Sequence, residues 1–410
     1  MASLVVALRR PRPARFVASA EARERWVRRR VAATWALVVL NVLTFNPGQS
    51  VIPIPSIVGK GITQGALPLA LLLALTVNRP VLIRPNVFLS LMTLLALAAI
   101  VTSFDAQFPR GTGYRTFRLI EFVIVLWLLS PYWGRRDLLL ARCHLRVMII
   151  VLGSVLLGLA VSPGHALEAG RLGGAIWPIP ATQVAHYSAV TIGMVSVFWL
   201  CGQWRGRSAL VLCSLAGVVL ILTHTRTALV ALIAGILIAG LSMIVARTRV
   251  RKTFAGAAAV GVIAGTALSG FITKWLARGQ GAGQLTNLSG RTTFWGPLLA
   301  YPRDRFQELF GFGLSNDSFG GLPIDSNWLA SYQDQGLFGV TICAAVLITL
   351  LFMAALQPRG VRRALALFLV IYCLIASFTE VGFTGASPYL LDLTVAASLL
   401  VPSMAKDGSA

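Results

Sequence analysis

Three arginines and one carboxylate stand out as residues able to handle an anionic, hydroxyl-bearing substrate. Arg226 follows Thr225 in the turn His224-Thr-Arg-Thr, where an apolar segment begins. A guanidinium at a helix end often snorkels to lipid headgroups, but it also binds phosphate in bidentate fashion. Arg291 lies in Ser289-Gly-Arg-Thr-Thr-Phe-Trp295, which reads as a helix start with Ser289 as N-cap. The helix macrodipole disfavours a cation there, unless cation and helix end face a common phosphate. Arg171, in Arg-Leu-Gly-Gly, is a third cation of the same kind. Asp325, in Asp-Ser-Asn-Trp, is either a helix N-cap or a general base that takes a proton from a hydroxyl. His186, His224, Glu308 and Asp317 are rivals for the base. Glu380 and Asp392 lie at or inside apolar segments, where a carboxylate is functional by default or else pairs with an arginine. His224, Trp295, Trp328 and Glu380 join Arg171 as expected substrate contacts, the tryptophans being suited to a membrane interface.

The elements that must position these residues are apolar helices. The chain has 410 residues, of which 56% are hydrophobic and only 12% charged, too little charge to cover a soluble fold of this length. The apolar residues come in blocks of roughly 16–22, near the length that crosses a bilayer core. The expected spans are 31–46, 62–78, 86–103, 117–132, 145–162, 184–202, 208–223, 226–246, 253–271, 336–356, 364–379 and 387–402. The fold expected is an all-α polytopic membrane protein with about 12 transmembrane helices, or 11 if the first, short block or the tight seventh and eighth pair is miscounted. Residues 1–30 read as a basic tail, 31–271 as helices one to nine, and 272–335 as a long extracytoplasmic loop containing short helices. Residues 336–402 read as the last three helices and 403–410 as a second tail.

The formal charge of +22 would suggest nucleic acid in a soluble protein. Here the basic residues sit in short loops beside apolar spans, and no nucleic-acid partner is implied. With the N-terminus inside and twelve spans, the inner segments hold 25 of the 36 Lys and Arg. Every inner loop is then basic, the positive-inside pattern, with both termini cytoplasmic. Acidic residues lean the other way, so the chemistry is expected on the outer side. The apolar stretch Leu4–Leu8 is too short for a signal peptide and precedes the arginines. Five cysteines without CxxC or Cys/His spacing imply neither disulfides nor zinc.

Read together, these segments resemble the O-antigen ligase and polysaccharide polymerase family of bacterial membrane glycosyltransferases. The resemblance runs through most of the chain and is concentrated between residues 171 and 380. Arg171-Leu-Gly-Gly ahead of Pro178, Thr225-Arg226, Gly290-Arg-Thr-Thr-Phe-Trp295, Gly311-Phe-Gly313 and Thr379-Glu380 follow the family's order and spacing. No one of these motifs is specific alone. The family's His-Asn-x-Tyr-Leu element is replaced by Asp325-Ser-Asn-Trp-Leu329, followed by Gly336-Leu-Phe-Gly339. Asp325 stands at the histidine and Trp328 at the tyrosine, which fits a polymerase-like branch better than a ligase proper.

The resemblance implies a GT-C-like fold in the bacterial inner membrane and a glycan donor linked to polyprenyl pyrophosphate, such as undecaprenyl pyrophosphate. It implies transfer of that glycan to a sugar hydroxyl of a glycan or lipid-glycan acceptor, in cell-surface polysaccharide assembly. Arg226 and Arg291 would stabilise the departing pyrophosphate, Arg171 would assist, and Asp325 would deprotonate the acceptor. No cofactor is expected, and the lack of Asp-x-Asp agrees with a metal-independent reaction. The competing expectations are a transporter of lipid-linked oligosaccharide, whose mark would be internal repeats and broken midplane helices, and a non-catalytic partner in envelope assembly.

Overall fold

A computed structural model describes residues 14–104, 106, 109–167, 170–267, 270, 292–315 and 318–402. Among the described residues the fold is helical, with one two-stranded hairpin, β1 (Ser318–Phe319) and β2 (Leu322–Pro323). The first helices are α1 (Ala14–Val42), α2 (Ser56–Val77), α3 (Val87–Ser103), α4 (Pro109–Leu129) and α5 (Leu139–Val161). A short α6 (Pro163–Ala166) precedes α7 (Ala181–Leu200), α8 (Gly206–Leu222), α9 (Arg226–Leu241) and α10 (Thr248–Ala267). Then come α11 (Thr292–Ala300), α12 (Arg305–Phe310), α13 (Asn327–Leu356), α14 (Val361–Ala376) and α15 (Pro388–Leu400).

A helix overlies each of the twelve apolar blocks. Four of them, α2, α5, α7 and α13, are long and apolar enough to cross a membrane by length and composition. Several helices begin a turn or two before the expected blocks, α2 at Ser56, α4 at Pro109 and α5 at Leu139, and two boundaries differ in kind. The basic tail is not separate from the first span, because α1 runs through residue 30 without a break. Its polar half is helical for a local reason: Glu24 and Arg28 sit one turn apart and pair at 2.7 Å, and alternating Ala, Arg and Glu favour helix. At the other boundary, α13 begins at Asn327 within the expected loop and bends at Gly336, whose φ of 61° is non-helical. Ser289, Gly290, Arg291, Asp317 and the tails 1–13 and 403–410 lie outside the described residues.

The helices pack in large part through small residues, which let apolar helices approach closely where hydrophobicity alone does not drive them together. Helix α7 is the axis: 83% of its most apolar window is buried, and it contacts α5, α8, α9 and α14. Phe368 of α14 seats between Gly193 of α7 and Gly235 of α9, where a Cβ would lie 1.8 and 2.8 Å from its ring.

One end of the bundle is tied together by arginines. Arg30 of α1 donates to Thr76 Oγ1 near the end of α2 at 2.7 Å. Arg84 donates to the carbonyls of Trp133 and Pro402, and Arg362 to those of Gly134, Arg135 and Val401. The ends of α1, α3, α5 and the starts of α2, α4 and α15 lie at the opposite end.

Candidate functional site

At that opposite end a cavity of about 750 Å³ opens between the C-terminus of α1, the first turns of α2 and α4, the kink of α13, and the segment 381–388 leading into α15. Its charged lining is Lys60, Arg115, Arg118 and Asp334. Arg118 is fixed by Asn41, donating through Nε to Oδ1 at 3.1 Å and through Nη2 to the main-chain carbonyl at 2.7 Å. Asn41 in turn donates to Thr63 O at 2.9 Å, so one amide links α1, α2 and α4 and aims the guanidinium. Volume and lining suit a ligand site, since such pockets hold about 300–1,000 Å³.

Asp334 is delivered by the kink. A bend frees carbonyls from their helical partners, and these must be paired. The amides of Phe312 and Gly313 donate to Gln333 O and Asp334 O, both at 2.9 Å. The approach requires glycine on both sides. A Cβ at Gly311 (φ 77°) would lie 2.4 Å from Gln335 N, and one at Gly336 would lie 2.5 Å from Leu309 C. Thus Gly311-Phe-Gly313 and Gly336-Leu-Phe-Gly339, far apart in the chain, form one joint. Arg303 braces it, donating to Gln333 Oε1 at 2.7 Å and to Leu298 O, with its guanidinium over the rings of Tyr332 and Phe312.

The floor segment is held by Asn327, which is buried. Its Oδ1 accepts from the main-chain amides of Gly382 (3.2 Å) and Phe383 (2.8 Å), and its own main-chain N–H donates to Ser377 O. Ser387 caps α15 by accepting from Leu390 N at 3.1 Å and donates to Gly382 O.

The sequence-derived residues fall around this cavity more than in it. Arg171 donates through Nε to Thr223 O at 3.0 Å and through Nη2 to Thr225 Oγ1 at 3.2 Å. It therefore secures the turn in which His224 adopts a left-handed φ of 51° and from which Arg226 starts α9. That turn reaches the floor segment through Thr227 and Thr379, whose hydroxyls are 2.7 Å apart. The structure so brings together Arg171, His224, Arg226 and Glu380. Asp325 and Trp328 are half-buried at the start of α13, next to the Asn327 anchor, and Trp328 packs against Phe378. Trp295 is half-buried on α11, and Glu308 is exposed on α12. None of Arg171, Arg226, Asp325, Trp295, Trp328 and Glu380 lines the cavity itself.

No protein-family model matches the chain, and no curated protein matches it.

The residues that sequence reasoning missed are Lys60, Arg115, Arg118 and Asp334. Arg118 carried a usable signal, being a charge inside the expected span 117–132. Asp334 carried none, because nothing local marks a helix bend that brings one acidic residue into the same cavity as arginines distant in the chain. Asp392 is a correction of a different kind: it pairs with histidines, not with an arginine. His144 Nε2 lies 2.8 Å from Asp392 Oδ1 and His186 Nε2 lies 3.2 Å from Oδ2, all three side chains being essentially inaccessible. Trp35 Nε1 donates to His144 Nδ1 at 3.3 Å, which leaves the His144 proton on Nε2 to face the carboxylate. Among the described residues no cluster is arranged to hold a metal ion, and the five cysteines are free thiols.

Proposed function

We propose that the protein is a membrane glycosyltransferase that moves glycan from a polyprenyl-pyrophosphate-linked donor at the outer face of the bacterial cytoplasmic membrane. The observation that supports this reading is the cavity whose lining holds Lys60, Arg115 and Arg118 together with the buried Asp334. Under the positive-inside rule the arginine-tied end faces the cytoplasm, so the cavity opens where a flipped lipid-linked donor is presented. In the reaction an acceptor hydroxyl oxygen bonds to the anomeric carbon, and the bond from that carbon to the pyrophosphate oxygen breaks. The pyrophosphate leaves with the electron pair, and the hydroxyl proton passes to a carboxylate. The chemical demand is stabilisation of the leaving anion, which a cluster of cations in a recessed site supplies.

In this reading Arg115 and Arg118 hold the diphosphate, with Lys60 at the exposed rim. Asp325, at the place of the family histidine, and Asp334, within the cavity, are the two candidate bases, and the lining favours Asp334. Arg226 borders the site through the Thr227–Thr379 contact, and Arg291 keeps the anion-binding role its motif suggests. The aspartate in place of histidine favours polymerisation over ligation to a lipid core.

The test uses the purified full chain, a fluorescent polyprenyl-pyrophosphate glycan and a glycan acceptor. Wild type transfers or ladders the glycan. Arg118→Gln slows transfer by about 10²–10³-fold, the usual cost of one lost oxyanion donor. Asp334→Asn abolishes transfer, whereas Asp325→Asn retains it. A donor left intact by wild type with a competent acceptor present sinks the enzyme reading.

The second reading, a proton-coupled transporter of lipid-linked oligosaccharide, is favoured by His144–Asp392–His186. Ionisable groups buried among apolar helices are a common basis of proton relays. Substrate movement in proteoliposomes driven by a proton gradient, without breakage of the donor's glycosyl linkage, would select it.

A further inference from the structure

Several arginines at the end away from the cavity already have protein partners. Arg28 and Arg135 pair with Glu24 and Asp137. Arg84, Arg249 and Arg362 donate to main-chain carbonyls. Arg142, Arg146 and Arg205 do neither: among the described residues they make no ion pair and no side-chain hydrogen bond. Instead they line a second cavity, of about 370 Å³, between the first turns of α5, the end of α7 and the turn into α8.

No acidic side chain lines this cavity. Three like charges lining one recess without a counter-charge repel one another, and an anion in the recess would relieve that. Two further features point the same way. Helix α8 starts at the cavity: Arg205 is its N-cap but makes no side-chain cap, and Ser208 of the first turn is in the lining. The positive end of a 17-residue helix therefore adds to the field of the arginines. Trp204 also lines the cavity, half-buried, with its ring 6.1 Å from that of Phe198, as an indole at a membrane interface does.

The apolar surroundings decide what kind of anion fits. One turn beyond Arg146 on α5 stands Ile150, 69% exposed. Just beyond Ser208 on α8 stand Leu210 and Val211, 69% and 57% exposed. A basic recess that continues along two helices into exposed hydrocarbon matches a phosphate joined to acyl chains, not a soluble phosphate. We propose that this cavity is a binding site for the phosphate headgroup of an anionic phospholipid. The site is separate from the reaction cavity and does not depend on the glycosyltransferase reading.

The full chain in non-ionic detergent is titrated with phosphatidylglycerol or phosphatidylcholine carrying brominated acyl chains, and tryptophan quenching is followed. Subtracting the signal of Trp204→Phe isolates the residue in the cavity. Each arginine near a headgroup is worth roughly fivefold in affinity, so three give about a 100-fold preference for the anionic lipid. Arg142→Gln, Arg146→Gln and Arg205→Gln each remove about fivefold of it, and the triple variant removes all of it. The single variants carry the test if the triple variant aggregates. Equal quenching by both lipids overturns the proposal, as does a triple variant that keeps the preference. Inorganic phosphate is the third arm. Failure of millimolar phosphate to displace phosphatidylglycerol supports the lipid site, and displacement at micromolar phosphate overturns it in favour of a soluble ligand.

Discussion

Gly336→Ala tests the joint that delivers Asp334 to the cavity. Gly336 has φ 61° and ψ −158°, a region open essentially to glycine, and an L-residue held there costs about 1–3 kcal/mol. The added methyl would also lie 2.5 Å from the main chain of Leu309 and 2.6 Å from Phe310 N. Backbone cannot swing aside as a flexible side chain can, and overpacking of this kind costs typically about 1–3 kcal/mol more. The expected loss is therefore about 2–6 kcal/mol, of which some is relieved by α12 moving away from α13. That movement would break the bonds from Phe312 and Gly313 to the carbonyls of Gln333 and Asp334 and shift the Asp334 side chain. The assay is equilibrium unfolding in mixed micelles at increasing denaturing detergent, with Gly153→Ala as control. Gly153 is in α5 with nothing within 4 Å of a Cβ, so its alanine variant is neutral or gains up to about 1 kcal/mol of helix propensity. If Gly336→Ala unfolds within about 0.5 kcal/mol of wild type, the close approach of α12 to the kink is refuted.

Two other outcomes follow from buried and surface charge. Asp392→Ala leaves His144 and His186 facing each other without their shared carboxylate, and loss of one partner from a buried pair costs about 3–5 kcal/mol; Asp392→Asn, which keeps an acceptor for His144, costs less, and equal melting of the two variants contradicts the arrangement. Hydrogen bonds from Arg28 and then Arg135 hold the Glu24 carboxyl below the usual range. Because the folded pKa is depressed, the docking of α1 on Arg135 is stabilised above the unfolded glutamate pKa, and that stability is lost as pH falls through the folded value. Hydrogen exchange of the exposed half of α1 should quicken over that acidic window and, the pair being exposed, also with added salt; exchange independent of pH would show that Glu24 does not anchor the helix.

Much of the helix inventory was legible because a block of apolar residues has few choices. Backbone groups in an apolar surround must be satisfied within the segment, and a helix does so. Caps were less legible: Asp325, one of the two residues read as a cap, is displaced by Ser326 at the start of α13, while the caps that form, Asp304 with Gln307 at α12, Asn86 at α3 and Ser387 at α15, were not singled out in the sequence. Motif order also carried spatial information. Arg171, Thr225-Arg226 and Thr379-Glu380 are neighbours in the fold, although the bonds that join them span many residues.

The facing of the helices was not legible. Around α9 nearly every position is apolar, and most polar residues of α7 and α15 are themselves buried, so hydropathy marks no inner side, and orientation is settled by where small residues admit large ones, as at Gly193, Gly235 and Phe368. His144 and Asp392 are separated by 248 positions, and no spacing rule joins them. The cavity is of the same kind: Lys60, Arg118 and Asp334 come from three helices, and Asp334 is turned by a kink that exists only because Gly311 and Gly336 allow two backbones to touch. Sequence by itself determined where the apolar helices lie along the chain and the basic pole of the bundle, since each depends on residues within a few turns, but not the helix ends, as α1 and α13 show. Tertiary structure alone decided which cations and which carboxylate share the cavity, since contacts between equally apolar surfaces leave no trace in local composition.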